Sequence, residues 1–129
     1  MDKIEFLGLD DILDIHRDQI EHYGGSAGVR DMGLLQSAVA MPVAAFGDQY
    51  LHKDISEMAA AYLFHITQNH PFIDGNKRTG AVAAIVFLAM NNFELSANED
   101  ELENLVRDIA TGQSNKDAAA DFFRKNTSN

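Results

Sequence analysis

Four side chains in one short stretch of the sequence could together do chemistry on a phosphate group. His70 carries an imidazole, which gains or loses a proton near neutral pH. Asp74 offers the hard carboxylate oxygens that Mg²⁺ prefers as ligands. Lys77 and Arg78 place two positive charges close to them in the chain. A proton carrier, a metal ligand and two cations at this spacing indicate a site for a phosphorylated substrate.

The chain around these side chains also predicts an anion site made of backbone groups. Residues 76–91 are expected to form a helix, because an almost unbroken apolar run from Ala81 to Met90 follows the polar loop. The first N–H groups of a helix have no partner within it, and a phosphate can accept their hydrogen bonds. The backbone around Gly75 and Asn76 is therefore predicted to face phosphate oxygens, and the stretch predicts phosphate chemistry on a nucleotide.

Three other kinds of site fit this stretch less well. A P-loop needs glycine at two positions where Pro71 and Asn76 stand, and no parallel β-α-β pattern surrounds them. His65, His70 and Asp74 match no common zinc spacing, and the chain has no cysteine. A Ser-His-Asp hydrolase needs a nucleophile elbow, which the sequence lacks. Phosphoryl or nucleotidyl transfer remains, and it requires a positioned phosphate, stabilised charge and a base.

The composition predicts one soluble domain spanning residues 1–129. A chain of this length can bury a hydrophobic core without the help of disulfide bonds or structural metal ions. The lack of cysteine permits a reducing, intracellular compartment. The first residues, Met1 to Glu5, do not show the positively charged segment followed by an apolar segment that is typical of a signal peptide. The longest apolar run is about half of the ~20 residues that a membrane span needs. We therefore expect a cytoplasmic protein that does not bind a membrane.

The formal charge of -10 argues against nucleic acid as a partner. The chain has two pairs of adjacent cations, Lys77-Arg78 and Arg124-Lys125, whereas nucleic-acid binders usually carry a basic stripe. The first pair lies in the key loop and concentrates positive potential there. This charge distribution favours a small anionic substrate at the loop.

Helical periodicity predicts an all-α bundle of five to seven helices, with room for one minor pair of short strands. The helix over 76–91 is apolar all round, so we expect it at the centre, enclosed by the others. Ile4 to Phe6 is expected to be a short strand or an extended lead-in, and the tail from Asn126 to Asn129 is expected to fray. The further helices are expected at 10–23, 31–41, 54–69, 98–111 and after a cap formed by Ser114 and Asp117.

Two further features of the sequence leave alternatives open. Residues 42–53 show neither helical nor strand periodicity, and a loop of this length is equally well explained as a functional lid or as a passive connection. Three histidines, His16, His22 and His65, lie on or beside predicted helix faces. We interpret them as packed or surface residues rather than as ligands.

The central motif resembles the signature of a known enzyme superfamily. His-Pro-Phe-Ile-Asp-Gly-Asn-Lys-Arg, at 70–78, is similar to the Fic/Doc signature His-Pro-Phe-x-Asp/Glu-Gly-Asn-Gly-Arg. The segments 23–28 and 31–38 are also similar to the Doc (death-on-curing) branch. Together with the size and the order of the predicted helices, the resemblance covers almost the whole chain. It implies the Fic/Doc-type (Fido) helical bundle, and it implies the toxin half of a toxin–antitoxin pair.

The resemblance also implies a role for each matching residue and a reaction. His70 would be the catalytic base, Asp74 the Mg²⁺ ligand, and 42–53 the flap that docks the target chain. In Fic enzymes the reaction is AMP transfer to a protein hydroxyl. In Doc it is phosphate transfer from ATP, bound in a reversed orientation, to a threonine of elongation factor Tu, which stops translation. The residues expected at the ATP phosphates are Gly75, Asn76, Lys77 and Arg78.

Two departures from the Fic pattern favour Doc-type kinase chemistry. Lys77 replaces a glycine whose backbone lies against the phosphates in Fic enzymes, and Ala81 stands where they carry a second arginine. A Fic-type adenylyltransferase and a non-catalytic protein-binding module remain the alternatives. The sequence also lacks the Ser/Thr-x-x-x-Glu-Gly/Asn inhibitory motif of some Fic proteins. We therefore expect inhibition by a separate antitoxin, whose disordered segment folds as a helix into a groove.

Overall fold

The computed structural model describes residues 3–129, in which six helices and four two-residue strands pack together. Met1 and Asp2, on which part of the signal-peptide prediction rests, lie outside the described residues. The helices are α1 (Leu9–Tyr23), α2 (Met32–Ala40), α3 (Ile55–Asn69), α4 (Asn76–Met90), α5 (Glu99–Ala110) and α6 (Lys116–Asn126). The strands are β1 (Ala45–Phe46), β2 (Gln49–Tyr50), β3 (Glu94–Leu95) and β4 (Thr127–Ser128). The predicted all-α bundle is confirmed.

Aspartate caps begin the second and third helices at the predicted positions. Asp31 Oδ1 accepts the N–H of Leu34 at 2.9 Å, and Asp54 Oδ1 accepts the N–H of Glu57 at 2.8 Å. The Glu57 carboxylate accepts the N–H of Lys53 at 3.0 Å instead of that of the cap residue. Glu57 therefore bonds to the residue before the cap, and the helix begins where the sequence predicts.

The helix at the centre of the bundle is α3, not α4, and this corrects the sequence prediction. α3 packs against α2, α4, α5 and α6 and buries nine of its fifteen residues. α4 packs against α1, α3 and α5 but leaves Val86, Ala89 and Met90 exposed. The apolar sequence of α4 did not predict its position correctly, because apolar residues such as Val86 and Met90 also occupy its solvent face.

The crossing of α3 and α4 is close, and it positions the loop between them. A Cβ atom at Gly80 would lie 2.9 Å from Thr67 Oγ1 and 3.2 Å from the Leu63 carbonyl oxygen. A larger residue at this position would require the Thr67 side chain or the Leu63 backbone to move. The end of α3 and the start of α4 are therefore held in a fixed relation, and the motif loop at 70–75 connects them.

Three segments differ from the sequence prediction in detail. Residues 42–53 contain the hairpin β1–β2, with Ala45 opposite Tyr50. The cap of α6 is Asn115, whose side chain accepts the Ala118 N–H, rather than Ser114. The last residues pair with β3 as β4 instead of fraying. Strand pairs this short carry no readable periodicity, because a period of two needs four or more residues to show.

The first described residues form the extended lead-in rather than a strand. The Tyr62 hydroxyl accepts the N–H of Leu7 at 2.8 Å and donates to the carbonyl oxygen of the same residue at 2.9 Å. Burial raises the pKa of Tyr62 to about 12, so the hydroxyl keeps its proton.

Among residues 3–129, no helix combines the length and apolar character needed to cross a membrane.

Candidate active site

His70 ends α3 in a conformation that non-glycine residues rarely adopt. Its backbone is left-handed, with φ 50° and ψ 53°, and its side chain is exposed. The helix stops there because Pro71 disfavours helical geometry at the preceding residue. The left-handed turn directs the chain from α3 into the motif loop and leaves the imidazole on an open cleft of about 640 Å³.

A glycine-rich segment, 24–31, holds the motif loop in place. The N–H groups of Arg30 and Asp31 both donate to the Pro71 carbonyl oxygen, at 2.7 and 3.0 Å. The Ile73 N–H donates to the Gly28 carbonyl oxygen at 3.2 Å. These bonds form a short antiparallel bridge between the two segments. The motif loop is therefore part of a small paired structure, although it is irregular by itself.

Asp74 presents a partly free carboxylate to the cleft. Its Oδ2 accepts the N–H of Ser26 at 2.8 Å, while Oδ1 has no hydrogen-bond partner in the described part of the chain. Gly25, with φ 112°, lies so close that a Cβ there would be 3.2 Å from Asp74 Cβ. The carboxylate is thus held by one oxygen and offers the other for a cation.

The start of α4 faces the same cleft with unpaired backbone donors. Gly75 is the N-cap in a left-handed conformation, φ 79°, and it provides no capping side chain. The Thr79 N–H makes the first bond of the helix, to the Gly75 carbonyl oxygen at 2.9 Å. The N–H groups of residues 76–78 consequently have no partner within the helix and can bind an anion.

The Asn76 side chain is occupied within the loop. It is 5% exposed, its Oδ1 accepts the Phe72 N–H, and its Nδ2 donates to the Phe72 carbonyl oxygen, both at 2.9 Å. This reciprocal pair closes the turn from Phe72 into α4. Asn76 therefore supports the loop through its side chain, and its backbone N–H is the group left for a phosphate.

The two cations of the motif differ in their surroundings. Arg78 donates to the Gly24 carbonyl oxygen at 3.0 Å, and its guanidinium lies over the Tyr23 ring, 5.4 Å from the centroid. Lys77 is exposed and makes no hydrogen bond or ion pair with the residues that the structure describes. Arg78 is thus positioned by α1 and the loop after it, while Lys77 is free to reach a ligand.

All the predicted site residues line one cleft. Some of the residues that hold them in place were not predicted. The residues brought together are His70, Asp74, Gly75, Asn76, Lys77 and Arg78. Arg30, which donates to the carbonyl oxygens of Asn69 and His70, has no sequence signal beyond its place between two family-like segments. His16 is packed, as expected, but it packs on the motif loop itself, with its ring stacked on Phe72.

The flap segment, 42–53, does not line this cleft. Its hairpin carries exposed apolar side chains, and Phe46 near the turn is 90% exposed. The Tyr50 ring contacts Phe6, with centroids 5.6 Å apart, and His52 is buried. The hairpin is therefore anchored near its second strand and free at its turn.

Comparison with known proteins settles the family of the chain. The model of the Fic/DOC family matches residues 6–88, which include the motif loop and the segment that holds it. The chain belongs to the Fic/Doc family. It is 39% identical over 100 residues to Toxin Doc of Mycolicibacterium smegmatis, which covers 76% of this chain and 77% of that relative. It is 29% identical over 116 residues to Protein kinase doc of Escherichia phage P1, covering 90% of each. Both named relatives are Doc proteins, so the Doc resemblance of this Fic/Doc chain is confirmed.

Proposed function

We propose that the chain is a Doc-type toxin that transfers the γ-phosphate of ATP to a hydroxyl of a protein target. The observation that carries this proposal is the common cleft of His70, Asp74 and the free N–H groups at the start of α4. The names of the two relatives, a toxin and a protein kinase, support it.

The residues of the cleft can be given roles that balance the reaction. The target hydroxyl oxygen forms a bond to the γ-phosphorus while the bond from that phosphorus to the β–γ bridging oxygen breaks. The hydroxyl proton passes to the neutral imidazole of His70, and ADP leaves. The N–H groups at the start of α4, with Lys77 and Arg78, hold the phosphate oxygens and offset their charge.

Asp74 is the residue that would hold Mg²⁺ with the nucleotide. Its free Oδ1 fits this role, since Mg²⁺ is commonly bound by one or two carboxylates together with substrate phosphates and water. Within residues 3–129, no group of three or more His, Asp or Glu side chains could form an all-protein metal site. Mg²⁺ supplies charge neutralisation on the phosphates when it is bound.

The side chains around α4 favour γ-phosphate transfer over AMP transfer. Lys77 occupies the second position of the helix and projects a long cation where the Fic motif has no side chain. Ala81, one turn later, gives no second cation beside Arg78. A cationic clamp with one arginine fits the geometry of α-phosphate transfer poorly, and the Doc resemblance implies ATP bound in the reversed orientation.

A target assay with two labels tests the reaction. Elongation factor Tu, the target that the resemblance implies, is incubated with the protein and ATP labelled at the α- or the γ-phosphate. We expect γ-label on a threonine and none from the α-position, with His70→Ala as the inactive control. Transfer of α-label alone would show an adenylyltransferase. Growth inhibition that survives His70→Ala in cells would show a non-catalytic binding module.

We further propose that a separate antitoxin restrains this activity in cells and that the toxin arrests translation. The name of the mycobacterial relative and the missing inhibitory motif support a regulator in trans. Its expected form is a segment that folds as a helix into a groove of this chain. Expression of the toxin should stop incorporation of labelled amino acids, and co-expression of a small neighbouring reading frame should restore it. Arrest that no neighbouring frame relieves would refute the paired regulator.

A further inference from the structure

His16, on α1, contacts the motif loop without lining the cleft. It is 5% exposed, and its ring stacks on Phe72 with centroids 3.7 Å apart and planes 5° from parallel. Its Nε2 lies 2.8 Å from the Asp74 carbonyl oxygen. The roles proposed above leave this buried histidine without a function, although it touches the loop that carries two of the proposed functional groups.

The hydrogen bond fixes both the imidazole and the peptide group that it meets. A carbonyl oxygen can only accept, so Nε2 carries the hydrogen and donates. The peptide bond between Asp74 and Gly75 is trans, and the C=O and N–H of a trans peptide point in opposite directions. With the carbonyl directed at α1, the Gly75 N–H is directed away from α1, towards the cleft that Gly75 lines.

The surroundings of Gly75 leave this N–H available and this orientation well determined. It makes no backbone or side-chain hydrogen bond within the described residues. A Cβ at Gly75 would lie 3.2 Å from Ile20 Cδ1 and 3.6 Å from His16 Cδ2, so α1 packs directly against the turn. The peptide group is therefore held from one side, and its donor faces the open side.

We propose that His16 is a positioning residue: its Nε2–H bond to the Asp74 carbonyl oxygen aims the Gly75 N–H at a phosphate oxygen of the bound nucleotide. The proposal rests on the proposed function, because the anion is taken to be a nucleotide phosphate. The donor joins those of residues 76–78 and extends the anion site by one N–H beyond the helix. A preorganised donor of this kind stabilises charge that develops in the transition state.

Two substitutions separate the hydrogen bond from the stacking. His16→Phe keeps an aromatic ring against Phe72 and removes the donor. His16→Gln removes the ring and keeps an N–H at the position of Nε2, the same number of bonds from Cα. His22→Gln, an exposed histidine on the same helix, is the matched control.

The readout is the ¹H–¹⁵N resonance of Gly75 during titration with Mg²⁺ and the β,γ-imido analogue of ATP. In the wild type, His16→Gln and His22→Gln, we expect the Gly75 amide proton to move downfield. In His16→Phe we expect less than about a third of that movement, and transfer of the γ-label about 10- to 100-fold slower at an unchanged KM for the target. A folded His16→Phe with the wild-type shift and rate would overturn the proposal, as would a wild-type Gly75 resonance that does not move.

Two outcomes keep this inference apart from the proposed function. A Gly75 shift that His16→Phe removes, in a protein that transfers no label, would support the positioning role and refute the kinase. Label transfer that is independent of residue 16 would refute the positioning role alone. If His16→Phe does not fold, the imidazole ¹⁵N shifts of the wild type decide, because a bare Nε2 at His16 contradicts the hydrogen bond.

Discussion

The Arg30 guanidinium donates to the carbonyl oxygen of His70, with Nε and the oxygen 2.7 Å apart, across forty positions of sequence. A second nitrogen of the same guanidinium donates to the carbonyl oxygen of Asn69 at 3.0 Å. One planar side chain therefore holds the carbonyl groups of Asn69, the last residue of α3, and of His70, its C-cap. Since these carbonyls have no partner within the helix, Arg30 both caps α3 and fixes the left-handed turn that presents the imidazole.

Arg30→Ala should weaken both the fold and the reaction. Loss of two charge-assisted hydrogen bonds at a partly exposed site is expected to lower the free energy of unfolding by about 1–2 kcal/mol. A displaced His70 imidazole should slow label transfer about tenfold or more. Urea unfolding and initial rates measure the two effects. Arg17→Ala is the control, because Arg17 pairs with exposed Asp14 on the surface of α1; an equal loss of activity in both variants would contradict a specific role for Arg30.

Asp74→Asn should separate the charge of this side chain from its hydrogen bond. The amide oxygen can still accept the Ser26 N–H, so the loop and the free energy of unfolding should change little. Without the negative charge, transfer should be about 100-fold slower, and the Mg²⁺ concentration for half-maximal rate should rise. Initial rates over a Mg²⁺ series measure this. Asp14→Asn serves as the control, and an unchanged Mg²⁺ dependence in Asp74→Asn would show that the metal ligand lies elsewhere.

Lys77→Gly tests whether Lys77 directs the choice of reaction. Removal of the amine and the stem should lower γ-phosphate transfer and make α-label transfer detectable, because the Fic motif has glycine there. Glycine also costs a helix about 1 kcal/mol relative to alanine. Lys77→Ala therefore accompanies it, since it removes the charge and keeps the helix. Unchanged γ-transfer in both variants would show that Lys77 does not direct the chemistry.

The helices could be predicted from the sequence because each carries its own signal. Asp31 and Asp54 cap helices that begin where the sequence predicts, and α3 ends before Pro71, at the predicted residue Asn69. The cluster of motif residues was predictable for a similar reason, since residues 70–78 are contiguous and any compact loop brings them together. Local sequence thus determines where the elements begin, where they end and which side chains share the loop.

The residues that hold the motif loop in place could not be predicted, because they contact it from distant positions in the sequence. Arg30 reaches the motif across 40 residues, Ser26 across 48 and His16 across 58. Nothing in their neighbours distinguishes them from surface or core residues. The central position of α3 could not be predicted for a related reason. Burial depends on how many helices surround an element, and apolar content alone does not show that number, since Val86 and Met90 of α4 are apolar and exposed.

Asn76→Ala should lower the stability of the fold, with little direct effect on the contacts to the nucleotide. The change leaves the N–H and C=O of Phe72 buried without partners, which is expected to cost about 2–4 kcal/mol. Thermal unfolding monitored by circular dichroism measures this loss. Asn104→Ala, at an exposed asparagine that accepts a bond from Arg107, is the control. A variant with wild-type stability and weakened ATP binding would place the Asn76 amide on the phosphate instead.

Two histidines that do not line the cleft connect the flap segment to the bundle. Lys116 Nζ lies 3.1 Å from Nε2 of His52 and 3.1 Å from Nε2 of His65. Burial, with repulsion from Lys116 and His52, lowers the pKa of His65 to about 4. Burial and Lys116 also lower the pKa of His52, and Glu57 opposes this shift. Both imidazoles are therefore neutral acceptors at neutral pH, and Lys116 donates to them.

This cluster predicts a loss of stability in mild acid. The unfolded chain binds protons at His65 near its ordinary pKa of 6.5, whereas the folded chain binds them only near pH 4. The stability that the neutral ring provides is thus complete above pH 6.5 and is lost as the pH falls towards 4. For a half-buried ring we expect a loss on the order of 2 kcal/mol. Urea unfolding at pH 7.5 and 4.5 measures it against His65→Gln, which accepts the Lys116 bond but does not titrate. Equal pH dependence in the two proteins would show that His65 carries no such penalty.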